Sequence, residues 1–125
     1  MLAKLLKFLA FGKKRSSPIY DHILWQKSYQ LAKDTDRFLG TNDHDLTRQI
    51  RTAADECHTQ CITIYENINP EFKARALSRA SMSLYAMKSS YTSAINEKVV
   101  ERNVALEMLI SEVESILSVK KVKNS

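Results

Sequence analysis

A chain of 125 residues is long enough to bury one core and too short for two independent domains. Two glycines and two prolines are too few for the turns and crossovers of an all-β or α/β fold, which leaves long helices as the expectation. The formal charge of +5 points to nucleic acid less by its size than by its placement. Lys4, Lys7, Lys13, Lys14 and Arg15 near the start and Lys120, Lys121 and Lys123 near the end are not balanced locally, whereas residues 16–117 hold eleven cations against fourteen acids.

In chain order, Leu2, Leu5, Leu6 and Leu9 fall on one face of a short amphipathic segment, with Lys4 and Lys7 opposite. Gly12, the basic cluster and Ser16-Ser17-Pro18 follow, so residues 1–18 read as an arm outside the main domain. Such an arm suits docking on a partner or a second subunit, or adsorption to an anionic membrane surface. Its apolar run is broken by lysines and no small-residue cleavage site follows, so it is not expected to be a signal peptide. No stretch has the roughly eighteen apolar residues of a spanning helix.

A first helix is expected over 19–39, carried by Ile19, Ile23, Trp25, Leu31, Phe38 and Leu39 and stopped by Gly40-Thr41-Asn42. A second is expected over 44–67, capped by Asp43 or Asp45, with Leu46, Ile50, Ala53, Cys57, Cys61, Ile64 and Ile68 at helical spacing. Asn69 and Pro70 open a third over 70–96, with Phe72, Ala76, Ala80, Leu84, Met87, Tyr91 and Ala94 on one face. Residues 98–103 carry no strong breaker, and Leu106, Leu109, Ile110, Val113, Ile116 and Leu117 mark a fourth helix over 100–120, followed by a basic tail at 121–125. Short connections make the expected fold an all-α, antiparallel up-down-up-down four-helix bundle over 19–120, with both basic ends at one pole. The third helix is rich in alanine and serine on all sides, a pattern for close packing within the bundle or for a subunit interface.

Candidate chemistry is sparse. Cys57 and Cys61 share a helical face from which His58 diverges, so core packing is expected there rather than a metal site, and no disulfide is implied. His22, His44 and His58 are not set beside a nucleophile by any motif, and no glycine-rich phosphate loop is present. We therefore expect no catalytic residue, no cofactor and no metal, and a reducing cytoplasmic setting. Arg48 and Arg51, three apart, and Arg75 and Arg79, four apart, present same-face pairs that can straddle phosphates or pair with acids such as Asp45 and Asp55. With Lys13, Lys14, Arg15, Lys120, Lys121 and Lys123 they form the expected nucleic-acid surface.

Leu24-Trp25-Gln26-Lys27-Ser28-Tyr29-Gln30-Leu31-Ala32 and Leu46-Thr47-Arg48-Gln49-Ile50-Arg51-Thr52-Ala53-Ala54 resemble the opening Trp-Gln-Lys-Ala stretch and the Leu-Thr-x-Gln-Ile-Arg-Arg-Ala run of one family. These are the four-helix bundle proteins of the 23S ribosomal RNA intervening-sequence type, with their relatives, the accessory variability determinants of diversity-generating retroelements. The similarity extends loosely over 19–120 and departs at Glu56-Cys57-His58-Thr59-Gln60-Cys61-Ile62-Thr63-Ile64-Tyr65-Glu66, where the ribosomal type has a Ser-Ile-Pro-x-Asn-Ile-Ala-Glu-Gly segment. The resemblance implies a non-enzymatic homo-oligomer, commonly a pentamer, and for the retroelement branch a reverse transcriptase and RNA or DNA as partners. A protein-interaction scaffold without a nucleic-acid role is the alternative.

Overall fold

A computed structural model describes residues 18–124, with side chains described over 19–121. The expected arm, with Leu2, Leu5, Leu6, Leu9, Lys13, Lys14 and Arg15, lies outside the described residues, as does the side chain of Lys123. Four helices make up the described chain: α1 (Pro18–Leu39), α2 (Asp45–Glu66), α3 (Pro70–Asn96) and α4 (Val104–Asn124), with no strand among the described residues. They form a four-helix bundle in which α1 packs on α2 and α4, and α3 on α2 and α4. The expected tail at 121–125 is instead helical as far as Asn124, since lysines are good helix formers and cations are favoured in a last turn.

Buried positions repeat every three or four residues along each helix, the spacing that keeps one seam facing the neighbours. On α2 the seam is Thr47, Ile50, Ala54, Cys57, Cys61 and Ile64; on α3 it is Ala80, Leu84, Met87, Tyr91 and Ala94; on α4 it is Leu106, Ile110, Val113 and Leu117. Small residues dominate where α2 meets α3, with Ala53, Ala54, Cys57 and Cys61 opposite a helix that buries Ala76, Ala80 and Ser83. This lets the two backbones approach, and theirs is the most extensive of the helix interfaces.

The seam of α1 is different. It runs Asp21, Leu24, Ser28, Leu31, Thr35 and Leu39, so apolar and polar residues alternate along a buried stripe. The Ser28 hydroxyl donates to the Trp25 carbonyl (3.1 Å), whereas the buried Thr35 hydroxyl has no hydrogen-bond partner among the described residues. Trp25 and Phe38, two of the apolar residues that mark this helix in the sequence, lie half-buried beside it.

Local chemistry sets the boundaries. Gly40 takes the left-handed conformation (φ +54°) that ends α1, and Asn69 accepts from the Glu71 and Phe72 amides (2.8 and 3.3 Å) with Pro70 at the first position of α3. The cap of α2 is neither Asp43 nor Asp45 but His44, whose Nδ1 accepts from the Leu46 amide at 3.0 Å. Extended backbone at His44 (φ −79°, ψ 155°) aims its ring at the open amides, which places Asp45 already inside the helix. The end of α3 has no glycine: Lys98 adopts φ +60°, donating to Ile95 O (3.0 Å) while Val99 donates to Ala94 O (2.8 Å), the paired bonds of a Schellman ending. The fourth helix starts four residues later than expected, capped by Asn103, whose side chain accepts from Leu106 at 3.0 Å.

Candidate nucleic-acid interface

The described residues include six arginines, at 37, 48, 51, 75, 79 and 102, and the fold treats them in two ways. At the end of the bundle where α1 stops and α2 begins, acids gather around them. Arg48 pairs with Asp43 (3.0 Å) and more closely with Asp45, whose hydrogen bond raises the guanidinium's pKa. Arg51 pairs with Asp36 (3.4 Å) and donates to the Gly40 and Asn42 carbonyls, tying the α1–α2 turn to the body of α2. Of the two acids expected as partners for these arginines, Asp45 pairs with Arg48, whereas Arg51 takes Asp36 across the turn and Asp55 pairs with neither.

Two more arginines at this end are paired. Arg37 meets Asp34 at 3.3 Å. Arg102 holds Glu107 through Nε (2.9 Å), and that bond, with one from Tyr91, keeps the Glu107 carboxyl below its usual range. The buried Tyr91 hydroxyl donates to Glu107 and accepts from the Asn103 amide, both at 2.8 Å, and so anchors the start of α4 on α3. Asn42 Nδ2 donates to Val99 O (3.2 Å), joining the two turns.

Arg75 and Arg79 stand apart. Both are exposed on the first half of α3, and neither has an acidic partner among the described residues; Arg75 lies 5.6 Å from the centre of the Phe72 ring. Lys121, also exposed, lines a shallow groove between α3 and α4 with Ser81 and Tyr85, so it sits at about the level of Arg79. Lys120 has a structural contact instead: with Lys73 (2.7 Å) it flanks the buried Asp21 carboxylate on the first turn of α1. Thus Arg75 and Arg79 lie on the first half of α3, Lys121 on the last turns of α4 and Arg48 and Arg51 on the first turns of α2, while Lys120 is engaged with the buried Asp21.

One feature escaped the sequence pattern. His22, Trp25 and Tyr29 of α1 line up with near-parallel rings, Trp25 lying 6.1 Å from His22 and 5.8 Å from Tyr29 at interplanar angles of 9° and 4°. Tyr65 and His58 of α2 tilt against this row at 5.6 to 6.2 Å, making a continuous five-ring surface. The signal is present in the sequence as His22, Trp25 and Tyr29 at helical spacing, but the apolar pattern of the first helix uses Trp25 without its ring neighbours.

His58 Nδ1 lies 2.9 Å from Ser28 Oγ, a serine–histidine proximity that no motif announces. Because Ser28 is fully buried and donates to Trp25 O, the contact ties α1 to α2 and presents no hydroxyl to a substrate. Burial holds the His58 pKa below its ordinary value, against the weaker pull of Asp55. Cys57 and Cys61 are both free and buried, and the hydrogen bond between them together with burial keeps the Cys57 thiol protonated. No group of three metal-ligating side chains occurs among the described residues, and no described helix is long and apolar enough to cross a membrane. No protein family, no curated protein and no solved structure matches this chain.

Proposed function

We propose that this chain is a non-enzymatic, oligomeric four-helix bundle that binds nucleic acid through its basic end, in the cytoplasm, as an accessory factor of the retroelement type. The observation that carries the reading is the unequal treatment of the arginines. A guanidinium already bonded to a carboxylate gains little from a phosphate, whereas Arg75 and Arg79 are unpaired among the described residues, exposed, and one helical turn apart. Lys121 widens that surface, and Lys13, Lys14, Arg15 and Lys123 would extend it if the bundle runs up-down-up-down. That order is supported by the Asp21–Lys120 pair, which joins the first turn of α1 to the last turns of α4, and by the Asn42–Val99 hydrogen bond between the two turns. A reverse transcriptase as partner, and a pentameric ring, rest on the family resemblance.

Exposed apolar side chains favour self-association as part of the same reading: Met82 and Tyr85 on α3 are 69% and 74% exposed, and Val104, Met108 and Val119 mark the outside of α4. They equally suit the scaffold reading, in which the basic ends serve solubility.

Affinity for a structured RNA, measured by fluorescence anisotropy across a salt series alongside mass by light scattering, tests the proposal. A multimer is expected whose affinity falls steeply with salt. In the Arg75→Gln/Arg79→Gln double variant the log–log slope should become shallower by about 2, as two phosphate contacts are lost. Binding unchanged in the double variant would remove the basic end from the account, and no binding at all would leave the scaffold reading.

A further inference from the structure

The five-ring surface serves no need of the core. Tyr29 and Tyr65 are each 45% exposed, while the fully buried residues of α1 lie on the neighbouring stripe through Leu24, Ser28 and Leu31. Near-parallel rings on one helix, with Tyr29 the most open to water, offer π-faces at fixed angles. The Lys33 ammonium lies over the Tyr29 ring, 5.5 Å from its centre, a contact worth little at an exposed site. At the other end, His22 and Tyr65 lie where α1 begins and α2 ends, the same end of the bundle as the unpaired cations. The aromatic row therefore runs between a lysine and a basic pole.

We propose that this surface is a stacking platform for the unpaired bases of a single-stranded nucleic acid. The inference rests on the nucleic-acid reading above and assigns to it a second site and a strand preference. Bases stack on Tyr29 and Tyr65 rather than between the rings, because the 5.8 Å between Trp25 and Tyr29 is short of the two stacking gaps of about 3.4 Å that an inserted base requires. A base arriving on Tyr29 replaces Lys33, whose ammonium turns to the adjoining phosphate. Duplex bases, already stacked on one another, have no face to give, so the platform separates single strands from duplexes without reading sequence. His58, hydrogen-bonded to Ser28, fixes the tilt of the second row against the first.

Trp25 is the one tryptophan of the chain, so its emission reports on this surface directly. The full chain is titrated with an oligouridine of about twelve nucleotides, within the span of known single-strand sites, and with a duplex of equal length at the same salt. Quenching by the single strand and none by the duplex is expected. Tyr29→Ala and Tyr65→Ala should each weaken single-strand binding about fivefold or more while leaving duplex affinity unchanged, and Tyr29→Phe should behave as the parent. Salt-sensitive binding without quenching, insensitive to both alanine variants, overturns the platform and leaves the basic end standing; no binding to either form overturns both. A Trp25 emission shift without RNA, produced by raising the protein concentration or by Leu5→Asp/Leu9→Asp in the full chain, would mean that a second copy or the first residues cover the rings, and the proposal would fall.

Discussion

Two groups of arginines in this bundle meet opposite surroundings. At the α1–α2 and α3–α4 turns, Arg48, Arg51 and Arg102 meet Asp43, Asp45, Asp36 and Glu107, and the result is a set of turns tied down by charge-assisted bonds. On the first half of α3, Arg75 and Arg79 meet no described acid, and the buried carboxylate of Asp21 is taken by Lys73 and Lys120. An arginine count does not distinguish a binding surface from a structural clasp. The position of the carboxylates does.

Asp21→Ala should be the most disruptive change to this contrast. It leaves two ammonium groups without their shared counter-charge at a site where the carboxylate is 4% exposed. Breaking a buried pair costs about 3 kcal/mol at the low end, which is the appropriate end because Lys73 and Lys120 are 24% and 13% exposed and can turn partly to water. Urea denaturation would read that loss. The same variant should bind RNA more tightly, since the released lysines join Arg75, Arg79 and Lys121. A variant that is destabilised but no tighter would show that Lys73 and Lys120 lie away from the nucleic-acid path.

How much of this was legible in the sequence depended on how local each cause was. The helices at 18–39, 45–66 and 70–96 follow from seams of apolar residues and from Gly40 and the Asn69-Pro70 pair, all short-range signals. The Arg48–Asp45 pair was legible for the same reason, being one turn apart. Arg51–Asp36 was not, because a turn folds between them. The core stripe of α1 was hidden by Ser28 and Thr35, polar residues small enough to be buried in a tight interface, and the apolar pattern drawn through Trp25 runs beside that stripe. Once Trp25 moves to the flank, the aromatic surface and the Ser28–His58 contact follow from the facing of α1 on α2, which is a property of the fold alone. Lys98 was invisible as a helix stop because nothing in its side chain favours the left-handed region; the surrounding bonds impose it.

The contrast between the two groups sharpens when one arginine from each is removed without adding charge. Arg51→Gln deletes donors to the Gly40 and Asn42 carbonyls and the partner of Asp36, and should lower stability by about 2 kcal/mol, the range for hydrogen bonds to charged groups. Arg75→Gln, an exposed change with no ion pair to break among the described residues, should stay within about 0.5 kcal/mol. Their effects on RNA affinity should be reversed, Arg51→Gln near neutral and Arg75→Gln weakening. If both variants lost stability and affinity together, the division between clasp and surface would not hold.

The smallest expected effect compares the two turns at the clasped end. Both chain reversals leave a helix through a left-handed residue, Gly40 at φ +54° and Lys98 at φ +60°, but only glycine reaches that region without a clash of Cβ against its own carbonyl. Lys98→Gly removes a strain of about 1 kcal/mol or more and gives part of it back through the greater freedom of an unfolded glycine, so a net gain somewhat under 1 kcal/mol is expected. Gly40→Ala should do the reverse, and for strain alone, because a Cβ there meets nothing within 4 Å. Thermal midpoints of the two variants should therefore move in opposite directions by similar amounts. A destabilised Lys98→Gly would mean that its side chain contributes more to the α3–α4 turn than its backbone costs, and would place a functional contact at an end of the bundle that is otherwise closed by its own acids.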